Sequence, residues 1–567
     1  MTFKGISIKN FRNFKNVNFE ISNKNIFFGL NDIGKTNLLY ALRYVFDKEI
    51  RKQNILDSDF HNKNVSEPIE ILITVDIGTS EENDCQKLRA RLKGAIQSNE
   101  TKVYIKFIAE YDEKELCAIP KLLWGGNIDS LKEMKQRGYF YDIDYVFNVI
   151  YIDSYVDLYS LFKKNVTNLI KNEEDSDKGI IENINRTIAN LNEQISSLSG
   201  IKEFENKIRP EYEKFRNEGI EILIKSEIAI KGLYSNIVPY IKQNNDNNLY
   251  PTAGEGRKKL LAYSIFDILS NESEETKINL FLIEEPENHL HRSMQISLSQ
   301  ILFTNSKYKY LFVTTHSPFI LYEMDEVNLI RIYNEGKLNS SSTFYKVPEL
   351  FKQNRKMLNY NLSEAIFANK VLLVEGPSEY ALFNKILSIK CPFYESYGIY
   401  ILVINGIGFE HYYKILYGLN IITIVKTDND LKSCDDSGYL AIGLQRCNKF
   451  ITDNDDNFEK IYIKGNSVKD KRKLYNENKQ KIELFRTKYK VFLSKVDLEN
   501  DLDEFMHERL CELLGNKKPV KYLQNKKHYN MINLIEKLTE DDCNNIYKNY
   551  NFKCLEELLD GIISNSN

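Results

Sequence analysis

The chain has 567 residues, of which 42% are hydrophobic and 28% are charged, and its formal net charge is −3. This length exceeds what one hydrophobic core can organise, so we expect about three or four folding units. The apolar runs are much shorter than the roughly 20 residues that span a bilayer, and MTFKGISIKNF lacks the apolar stretch of a secretory signal. The eight cysteines include no Cys-x-x-Cys pair, so neither a zinc ribbon nor a disulfide framework is indicated. These features predict a cytoplasmic protein.

A phosphate-binding loop is predicted near the N-terminus, in a region (residues 1–154) that mixes short strands with one helix. The segment NIFFGLNDIGKTNLLYAL, residues 25–42, has the spacing Gly-x4-Gly-Lys-Thr between an apolar strand and an amphipathic helix. In such a loop, backbone amides hold phosphates, Lys35 reaches the terminal phosphates and the Thr36 hydroxyl binds Mg²⁺. We therefore expect this segment to bind ATP with Mg²⁺. The candidate nucleotide-binding residues here are Asn31, Gly34, Lys35, Thr36 and Asn37.

Residues 155–240 have a helical pattern instead of a strand pattern. Apolar residues in this region recur at alternating spacings of three and four, and they are Ile181, Ile184, Ile188, Leu191, Ile195 and Leu198. The spacing is typical of a short heptad seam. An intramolecular helical hairpin and a dimerisation arm both fit this seam.

The second half of the nucleotide site is predicted in residues 241–345. NLFLIEEPENHLH, residues 279–291, is a buried strand that ends in Glu284 and Glu285. By position, Glu284 would support Mg²⁺ through water and Glu285 would polarise the attacking water. LFVTTHSP ends the next strand in His316, which is placed to sense the γ-phosphate. TAGEGRKKL, residues 252–260, supplies a Gly-rich turn at the start of a helix.

A second α/β unit follows a connector at 346–369 and extends over 370–567. The order VLLVEG, helix, YILVING, helix, IITIVKTDND predicts a parallel sheet with crossover helices. Parallel sheets form ligand sites outside the carboxyl ends of their strands. Carboxylates stand at such positions in three places, namely Glu375 and Glu379, Asp428 and Asp430, and Asp497 and Glu499.

These six carboxylates predict a metal site. Asp428 and Asp430 stand at i and i+2, which in an extended chain face the same side, and Asp497 and Glu499 repeat that spacing. Like charges that converge at one sheet edge repel one another, and Mg²⁺ or Mn²⁺ would remove that repulsion. Each pair alone also fits a structural role, because Glu379 favours a helix N-terminus, Asp428 and Asp430 suit a turn, and Asp497 could pair with Lys495.

Two basic clusters lie within this unit, on either side of Asp497 in the sequence. KDKRKLYNENKQKIELFRTKYK, residues 469–490, is strongly basic, and KKPVKYLQNKKHY, residues 517–529, adds lysines with interleaved tyrosines. Either run alone fits a solvated helix face. Beside an active site for nucleic acid, both would favour contact with a phosphate backbone.

The order of phosphate loop, Gly-rich segment, IEEPE strand and TTH strand resembles the ATP-binding-cassette ATPases of the RecF/SMC kind. In that group the Gly-rich segment completes the nucleotide site of a partner head. Two features depart from the pattern: Glu284 stands where aspartate is usual, and TAGEGR is a poor copy of the Ser-Gly-Gly signature. The resemblance therefore implies ATP binding more strongly than fast hydrolysis.

A glutamate after the first strand and an Asp-x-Asp after a later one resemble the Toprim domain of topoisomerases, primases and nucleases. An ABC-type ATPase followed by Toprim resembles the OLD (overcoming lysogenisation defect) nucleases over nearly the whole chain. Within that family, NDIGKTN, IEEPE, EGPSE, KTDNDLKS and DLENDL are similar to the nuclease subunits of Gabija anti-phage systems.

The resemblance implies metal ligands and a catalytic lysine. The implied ligands are Glu375, Glu379, Asp428, Asp430, Asp497 and Glu499. Among these, Glu375 and Asp497 are assigned with Lys527 as the catalytic set, and Lys526 is the alternative lysine. The resemblance also implies a homo-oligomer, a dimer or tetramer built through the ATPase heads and the helical arm, a UvrD-like helicase partner and a role in phage defence.

The sequence thus predicts an ABC-type (RecF/SMC-like) ATPase head with an inserted helical dimerisation arm, followed by a C-terminal Toprim α/β domain. The expected function is metal-dependent cleavage of duplex DNA by two-metal phosphodiester hydrolysis, regulated by ATP binding. One alternative is a DNA-binding ATPase of the RecF/SMC class whose Toprim-like domain is not catalytic. A primase or topoisomerase is a further alternative, weakened by the missing zinc-ribbon cysteines and by the lack of a recognisable tyrosine-bearing cleavage domain.

Overall fold

The structure of the chain is a computed structural model. It describes residues 1–562 except for segments 30–33, 79–81, 93, 97–99, 139, 156–177, 204, 207–239, 243–248, 252–255, 257, 260, 265–275, 335–337, 405–407, 435–437 and 452–455. Contacts divide the chain into two compact units, one of residues 1–149, 280–287 and 292–567, and one of residues 150–279 and 288–291. No helix within the described ranges is long and apolar enough to traverse a bilayer.

The strands in chain order are β1 (Thr2–Phe11), β2 (Phe14–Glu20), β3 (Lys24–Phe28), β4 (Ile69–Asp76), β5 (Lys102–Asp112), β6 (Cys117–Gly125), β7 (Lys132–Glu133), β8 (Gln136–Arg137), β9 (Phe140–Tyr141), β10 (Phe147–Ile152), β11 (Tyr240–Lys242), β12 (Leu249–Pro251), β13 (Ile278–Glu284), β14 (Leu311–Thr314), β15 (Val327–Asn334), β16 (Leu338–Tyr345), β17 (Lys370–Val374), β18 (Ile399–Val403), β19 (Ile422–Thr427), β20 (Lys432–Cys434), β21 (Gly438–Leu440), β22 (Tyr462–Ile463) and β23 (Val491–Leu493).

The α-helices are α1 (Lys35–Phe46), α2 (Lys48–Arg51), α3 (Asn83–Arg91), α4 (Lys178–Ser196), α5 (Arg292–Thr304), α6 (Arg355–Ala365), α7 (Pro377–Lys390), α8 (Phe409–Gly418), α9 (Ile442–Cys447), α10 (Val468–Glu477), α11 (Lys479–Tyr489), α12 (Leu498–Leu514), α13 (Pro519–Gln524), α14 (Lys527–Ile535), α15 (Glu540–Lys548) and α16 (Cys554–Leu559).

The N-terminal half contains two sheets that differ in their strand directions. One has the order β2-β1-β4-β5-β6-β7 and is antiparallel at every pairing. Its strand β4 alternates buried and half-buried residues, as expected for a sheet with one covered face. The other sheet has the order β10-β13-β14-β3-β15-β16, and β13, β14, β3 and β15 run parallel to one another. The carboxyl ends of these parallel strands meet at one edge, and this edge positions the nucleotide-site residues.

The C-terminal α/β unit is built on a parallel sheet of order β18-β17-β19-β23. Its strands are short and almost continuously apolar, because helices cover both faces of a parallel sheet. Side chains of the sheet, among them Leu372 and Ile424, form a buried cluster with Phe383, Phe552 and Leu555 from the surrounding helical segments. The prediction of a parallel sheet with crossover helices is confirmed.

Two sequence predictions fall partly or wholly outside the described residues. Within the predicted arm, α4 carries the heptad seam, and its Leu191 is exposed, as is Leu198 just beyond the helix end. The remainder of the arm, segments 156–177 and 207–239, lies outside the described residues, so the hairpin and the dimerisation arm stay open as interpretations. Most of the Gly-rich turn TAGEGR also lies outside them.

Candidate functional site

Three loops of the ATPase region leave the same edge of the parallel sheet. Strand β3 ends at Phe28 and leads into the phosphate loop, β13 ends at Glu284, and β14 leads to His316. These strands are neighbours, since Glu284 pairs with Thr314 and Thr314 pairs with Phe27. The sheet therefore brings together the predicted phosphate loop, both glutamates and the histidine.

The phosphate-loop side chains contact the second half of the site. The Thr36 hydroxyl donates a hydrogen bond to Oε1 of Glu284, and Nζ of Lys35 donates to the carbonyl oxygen of Gly29 at 3.1 Å. Gly34 has φ +103° and stands directly before α1, where this backbone conformation favours glycine. Threonine and glutamate oxygens that already meet can share one hydrated Mg²⁺. Asn31 lies outside the described residues.

Glu285 and His316 face each other at this edge. Nε2 of His316 lies 3.4 Å from Oε1 of Glu285, and Glu285 has a left-handed φ of +41°. Burial, together with the positive charge of Lys35, lowers the pKa of His316 despite the attraction of Glu285. The imidazole is thus biased towards its neutral form. A non-glycine residue with positive φ is uncommon and concentrates at functional sites.

Glu287 and the Arg12–Asn37 pair are supporting contacts that the sequence analysis did not identify. The buried carboxylate of Glu287 accepts hydrogen bonds from the His316 backbone amide (2.6 Å) and the Thr315 hydroxyl (2.9 Å). Burial raises the pKa of Glu287. Asn37 accepts from Nη1 of Arg12 at 2.9 Å. Glu287 belongs to the IEEPE segment, but one of its partners is a backbone amide, and a sequence pattern does not predict such a contact.

The Toprim carboxylates follow the strands as predicted, but their local geometry differs from the expectation. Glu375 directly follows β17, and Glu379 lies in the first turn of α7. The prediction that Asp428 and Asp430 lie in extended chain is wrong, because the Asp430 amide donates to the Asp428 carbonyl at 3.0 Å and closes a tight turn.

Asp497 and Glu499 depart from the extended arrangement for a different reason. Asp497 is the N-cap of α12, where its Oδ1 accepts from the Asn500 amide at 2.8 Å, and Glu499 is in the first helical turn. A helix starts here because aspartate caps the free amides of a first turn. The two side chains are therefore brought together by a helix start and not by a strand.

Mutual repulsion and burial act on these carboxylates. Burial, with repulsion from Glu375, Glu379 and Asp497, raises the pKa of Asp428 well above its ordinary value. Burial and repulsion from Glu375 and Glu499 raise the pKa of Glu379 to about 7. Burial and the charge of Asp497 also raise the pKa of Glu499. These groups are close enough to oppose one another's ionisation, which is the situation that a bound cation relieves.

Lys527 faces this cluster. Burial opposes its charge, yet attraction to Glu499, Asp428, Glu379 and Asp497 raises the pKa of Lys527. The side chain stands at the first position of α14, directly after Lys526, whose backbone is left-handed with φ +52°. Four of the six predicted ligands thus act on Lys527, which keeps its ammonium charged at the sheet edge.

Two residues missed by the sequence analysis also contact the cluster. Nη1 of Arg446 donates to Oε1 of Glu375, and its Nη2 donates to Oδ2 of Asp430 at 2.8 Å. Nε2 of Gln524 donates to Oδ2 of Asp497 at 3.0 Å. Both belong to short helices of six residues. Their positions follow from tertiary packing, which the sequence does not reveal.

The chemistry of the carboxylate cluster fits divalent metal ions. Carboxylate oxygens are the ligands that Mg²⁺ and Mn²⁺ prefer, and burial and mutual repulsion raise the pKa values of Asp428 and Glu379, so that a bound cation would favour their ionised forms. Across the part of the chain that the structure describes, no three acidic, histidine or cysteine side chains already surround one point at metal-ligand distances. The donor set is thus present, while its final convergence requires side-chain adjustment.

The two basic clusters differ in how many of their charges are already paired. In residues 469–490, Lys488 pairs with Asp456 and Arg486 is buried. In residues 517–529, four exposed lysines besides Lys527 have no acidic partner within 4 Å among the described residues, and they are Lys517, Lys518, Lys521 and Lys526. The second cluster leads directly into Lys527 and leaves its charge available.

Comparison with known families and proteins gives consistent results. The family described as AAA ATPase domain matches residues 1–321, and the family described as overcoming lysogenization defect protein-like, TOPRIM domain, matches residues 366–430. The chain is 44% identical to the endonuclease GajA of Bacillus cereus (strain VD045), and the match covers 99% of both chains. It is 24% identical to the endonuclease GajA of Bacillus cereus (strain HuB5-5) over 48% of this chain and 43% of that protein.

Solved structures overlap with parts of the chain. An SMC head bound to the C-terminal winged-helix domain of ScpA has a TM-score of 0.35 at 14% identity, covering 61% of this chain and 98% of that chain. The C-terminal region of the Burkholderia pseudomallei OLD protein has a TM-score of 0.26 at 18% identity, covering 34% of this chain and 98% of that chain. Overlaps of this size carry no argument. The sequence relationships do, and they confirm the predicted fold class: the chain belongs to the GajA endonucleases of the OLD family, with an N-terminal ATPase domain and a C-terminal TOPRIM domain.

Proposed function

We propose that this protein is a metal-dependent DNA endonuclease whose cleavage is regulated by nucleotide binding at its ATPase domain. The observation that carries this proposal is the cluster of carboxylates with Lys527 at the carboxyl edge of the parallel sheet, in a chain 44% identical to an endonuclease. The cluster has the oxygen donors and the positive side chain that hydrolysis of a phosphodiester requires.

The metal ligands in this proposal are the six carboxylates Glu375, Glu379, Asp428, Asp430, Asp497 and Glu499. Two Mg²⁺ or Mn²⁺ ions bound there would supply an activated water and stabilise the leaving oxygen. Glu375 is oriented for this task, because its Oε1 accepts from the Thr427 hydroxyl (2.7 Å) and the Asp428 amide (3.0 Å). The hydrogen bonds found for Glu375 among the described residues all go to Oε1, so its Oε2 is the oxygen proposed to bind metal.

Lys527 is proposed as the catalytic lysine, in preference to Lys526. Its ammonium is attracted by the same carboxylates that would hold metal, which supports a role beside the scissile phosphate. A fixed positive charge there stabilises the negative charge that develops on the phosphate in the transition state. The exposed lysines of residues 517–526 would extend this contact along the DNA backbone.

The nucleotide site is proposed to bind ATP with Mg²⁺ through Gly34, Lys35, Thr36 and Asn37, with Asn31 assigned from the sequence alone. Glu284 would support the ion, Glu285 would polarise the attacking water, and His316 would sense the γ-phosphate. The contact between Thr36 and Glu284 supports this arrangement. Glu285 and His316 lie close enough to act on the same phosphate.

The assembly and biological role are proposed from the relationship to GajA. We expect a homo-oligomer that uses the ATPase heads and the arm containing α4, a UvrD-like helicase partner (GajB), and a role in anti-phage defence within the cytoplasm. The exposed seam residue Leu191 on α4 is consistent with an arm that pairs with another copy.

Cleavage of supercoiled plasmid tests the proposal. Mg²⁺ or Mn²⁺ should support nicking. Glu375→Ala should abolish nicking while binding of a fluorescent ATP analogue survives. Lys35→Ala should lose binding of the analogue but still nick plasmid when no nucleotide is present. Glu508→Ala, which removes an exposed carboxylate on α12, is the matched control and should cleave normally. Intact plasmid with every metal, with and without ATP, would instead favour the DNA-binding ATPase whose Toprim-like domain is not catalytic.

A further inference from the structure

Arg446 is inserted into the carboxylate cluster by close packing of α9 against the Asp428–Asp430 turn. The Gly443 amide donates to the Asp430 carbonyl at 3.0 Å. A Cβ at Gly443 would lie 2.8 Å from the Asp428 carbonyl oxygen and 2.9 Å from the Asp430 nitrogen, so only glycine permits this approach. One turn later in α9, Arg446 reaches Glu375 and Asp430 and bridges them with its two terminal nitrogens.

The two bridged carboxylates depend on Arg446 to different degrees. Oε1 of Glu375 also accepts from the Thr427 hydroxyl and the Asp428 amide, so Glu375 would keep its orientation without the guanidinium. Asp430 is 39% exposed, and within the described residues its carboxylate is paired with Arg446. Arg446 is therefore not needed to orient Glu375, while it holds the more exposed Asp430 in place.

Two cations divide the acidic cluster between them. Lys527 is attracted by Glu499, Asp428, Glu379 and Asp497, so it acts on Asp428 and on the acids of α7 and the start of α12. Arg446 takes the other side, where it contacts Glu375 and Asp430 directly. The Arg446 side chain is 21% exposed, so water screens this bridge only partly.

We propose that Arg446 is the resident cation of the Glu375–Asp430 pair, and that a divalent ion is held by this pair only after the guanidinium has moved away. The inference rests on the proposed metal site and adds a competition to it. A guanidinium and a divalent ion repel each other and use the same carboxylates, so Arg446 lowers metal affinity and stabilises the metal-free protein. This also accounts for the lack of a ready-made set of three metal ligands among the described side chains.

If Arg446 instead supported the metal site, its removal would change metal affinity in the opposite direction. If the arginine served only to orient the two carboxylates, its removal would weaken metal binding, as loss of a supporting contact commonly does. The hydrogen bonds that Glu375 keeps with Thr427 and Asp428 argue for competition instead. The direction of the change in metal affinity therefore decides between the two roles.

The test is Mn²⁺ binding to the metal-free full-length protein, measured by calorimetry without DNA or nucleotide. Arg446→Met should bind Mn²⁺ about tenfold more tightly than wild type, a difference of roughly 1.4 kcal/mol. Arg446→Lys, which retains a charge but has no two-nitrogen fork to bridge both acids, should bind about threefold more tightly. Unchanged or weaker binding by a folded Arg446→Met would overturn the inference; if this variant does not fold, Arg446→Lys decides by the same criterion.

Two controls separate this inference from the proposed function. Arg509→Met removes an arginine that contacts Asp542 and Glu512, outside the carboxylate cluster, and should leave Mn²⁺ affinity unchanged. Glu375→Ala should abolish the Mn²⁺ binding that Arg446→Met enhances. If wild type binds Mn²⁺ and Glu375→Ala does not, but Arg446→Met has wild-type affinity, the competition is wrong and the metal site stands. If Glu375→Ala has no effect on binding, both fail.

Discussion

Gln524 donates a hydrogen bond of 3.0 Å from Nε2 to Oδ2 of Asp497, across 27 residues of sequence. The other oxygen of Asp497 accepts from the amide and the side chain of Asn500. Both oxygens are thus oriented before any ligand binds. We predict that Gln524→Leu weakens Mn²⁺ binding and slows plasmid nicking by about tenfold, because loss of a contact that orients a ligand typically costs 10–100-fold.

Gln480→Leu is the matched control for this change, since Gln480 is exposed on α11. It should alter neither metal affinity nor nicking. Because Gln524 is itself exposed, its replacement should also leave the thermal unfolding midpoint of the metal-free protein unchanged. Wild-type nicking by Gln524→Leu would show that Asn500 alone is sufficient to hold Asp497.

Gly443→Ala tests the close packing of α9 on the Asp428–Asp430 turn. The added methyl group would meet backbone atoms of Asp428 and Asp430 at 2.8 and 2.9 Å, and backbone cannot move aside as a flexible side chain can. We predict a loss of about 1–3 kcal/mol in unfolding free energy, as for other overpacked sites, and weaker Mn²⁺ binding where the clash distorts the Asp428–Asp430 turn instead of only displacing Arg446. Thermal unfolding and Mn²⁺ calorimetry measure the two effects.

A glycine in open space provides the comparison for Gly443. Among the described residues outside its own stretch of α4, no heavy atom lies within 4 Å of a Cβ built at Gly179. Gly179→Ala should therefore preserve the thermal unfolding midpoint and metal binding. Equal behaviour of the two variants would mean that α9 can shift away from the turn at little cost.

The ends of the strands were predictable from the sequence, and the contacts between distant segments were not. Glu375 and Asp428 follow apolar runs that read as buried strands, and parallel pairing of β17 with β19 brings those ends together. Lys527 was assigned through resemblance to a family. Arg446 belongs to the six-residue α9, whose place is fixed by contact of Gly443 with a turn, and no periodicity reports such a contact.

The start of α12 shows why a correct residue can be given a wrong geometry. The pattern Asp-x-Glu at 497–499 has the same spacing as Asp-x-Asp at 428–430, so the sequence alone suggested one arrangement for both. The structure has a helix cap at Asp497 and a tight turn at Asp428. Capping by aspartate and the turn-forming tendency of Asp-Asn-Asp are local preferences that override the strand interpretation.

The pKa of Glu379 predicts how metal binding depends on pH. Its folded-state pKa is raised to about 7 from an ordinary 4.5, so the folded protein without metal binds more protons than the unfolded chain between these values. This group therefore makes metal-free stability fall as pH rises through that window. Metal binding needs the ionised carboxylate, so Mn²⁺ affinity should rise up to about tenfold per pH unit below 7 and level off above it.

Calorimetry from pH 5.5 to pH 8.5 measures this dependence. Glu379→Gln cannot ionise at this position, so its Mn²⁺ affinity should be lower at high pH and its pH profile flatter below 7. Asp428 also has a raised pKa, so a residual slope is expected in the variant. A wild-type profile without any slope between pH 5.5 and pH 7 would contradict the prediction.

Arg331 joins the strand beside the phosphate loop to the Toprim sheet. It pairs with Phe28 in the register of β15 with β3, its Nη1 donates to the carbonyl of Asn420 at 2.6 Å, and its Nη2 donates to Oδ1 of Asn369 at 2.8 Å. Asn369 directly precedes β17, and Asn420 lies just before β19. Glu375 and Asp428 follow the other ends of these two strands. One side chain thus connects the strand beside β3 to the segments that lead into both Toprim strands.

We predict that Arg331→Met binds the fluorescent ATP analogue with wild-type affinity and nicks plasmid without nucleotide, but loses most of the effect of ATP on nicking. Because Arg331 is buried and its partly buried hydrogen bonds to Asn420 and Asn369 are lost, unfolding free energy should also fall by about 1–3 kcal/mol. Lys346→Met removes a solvent-screened surface ion pair with Glu326 and should change neither property. An ATP effect of full size in Arg331→Met would show that the two domains communicate by another route.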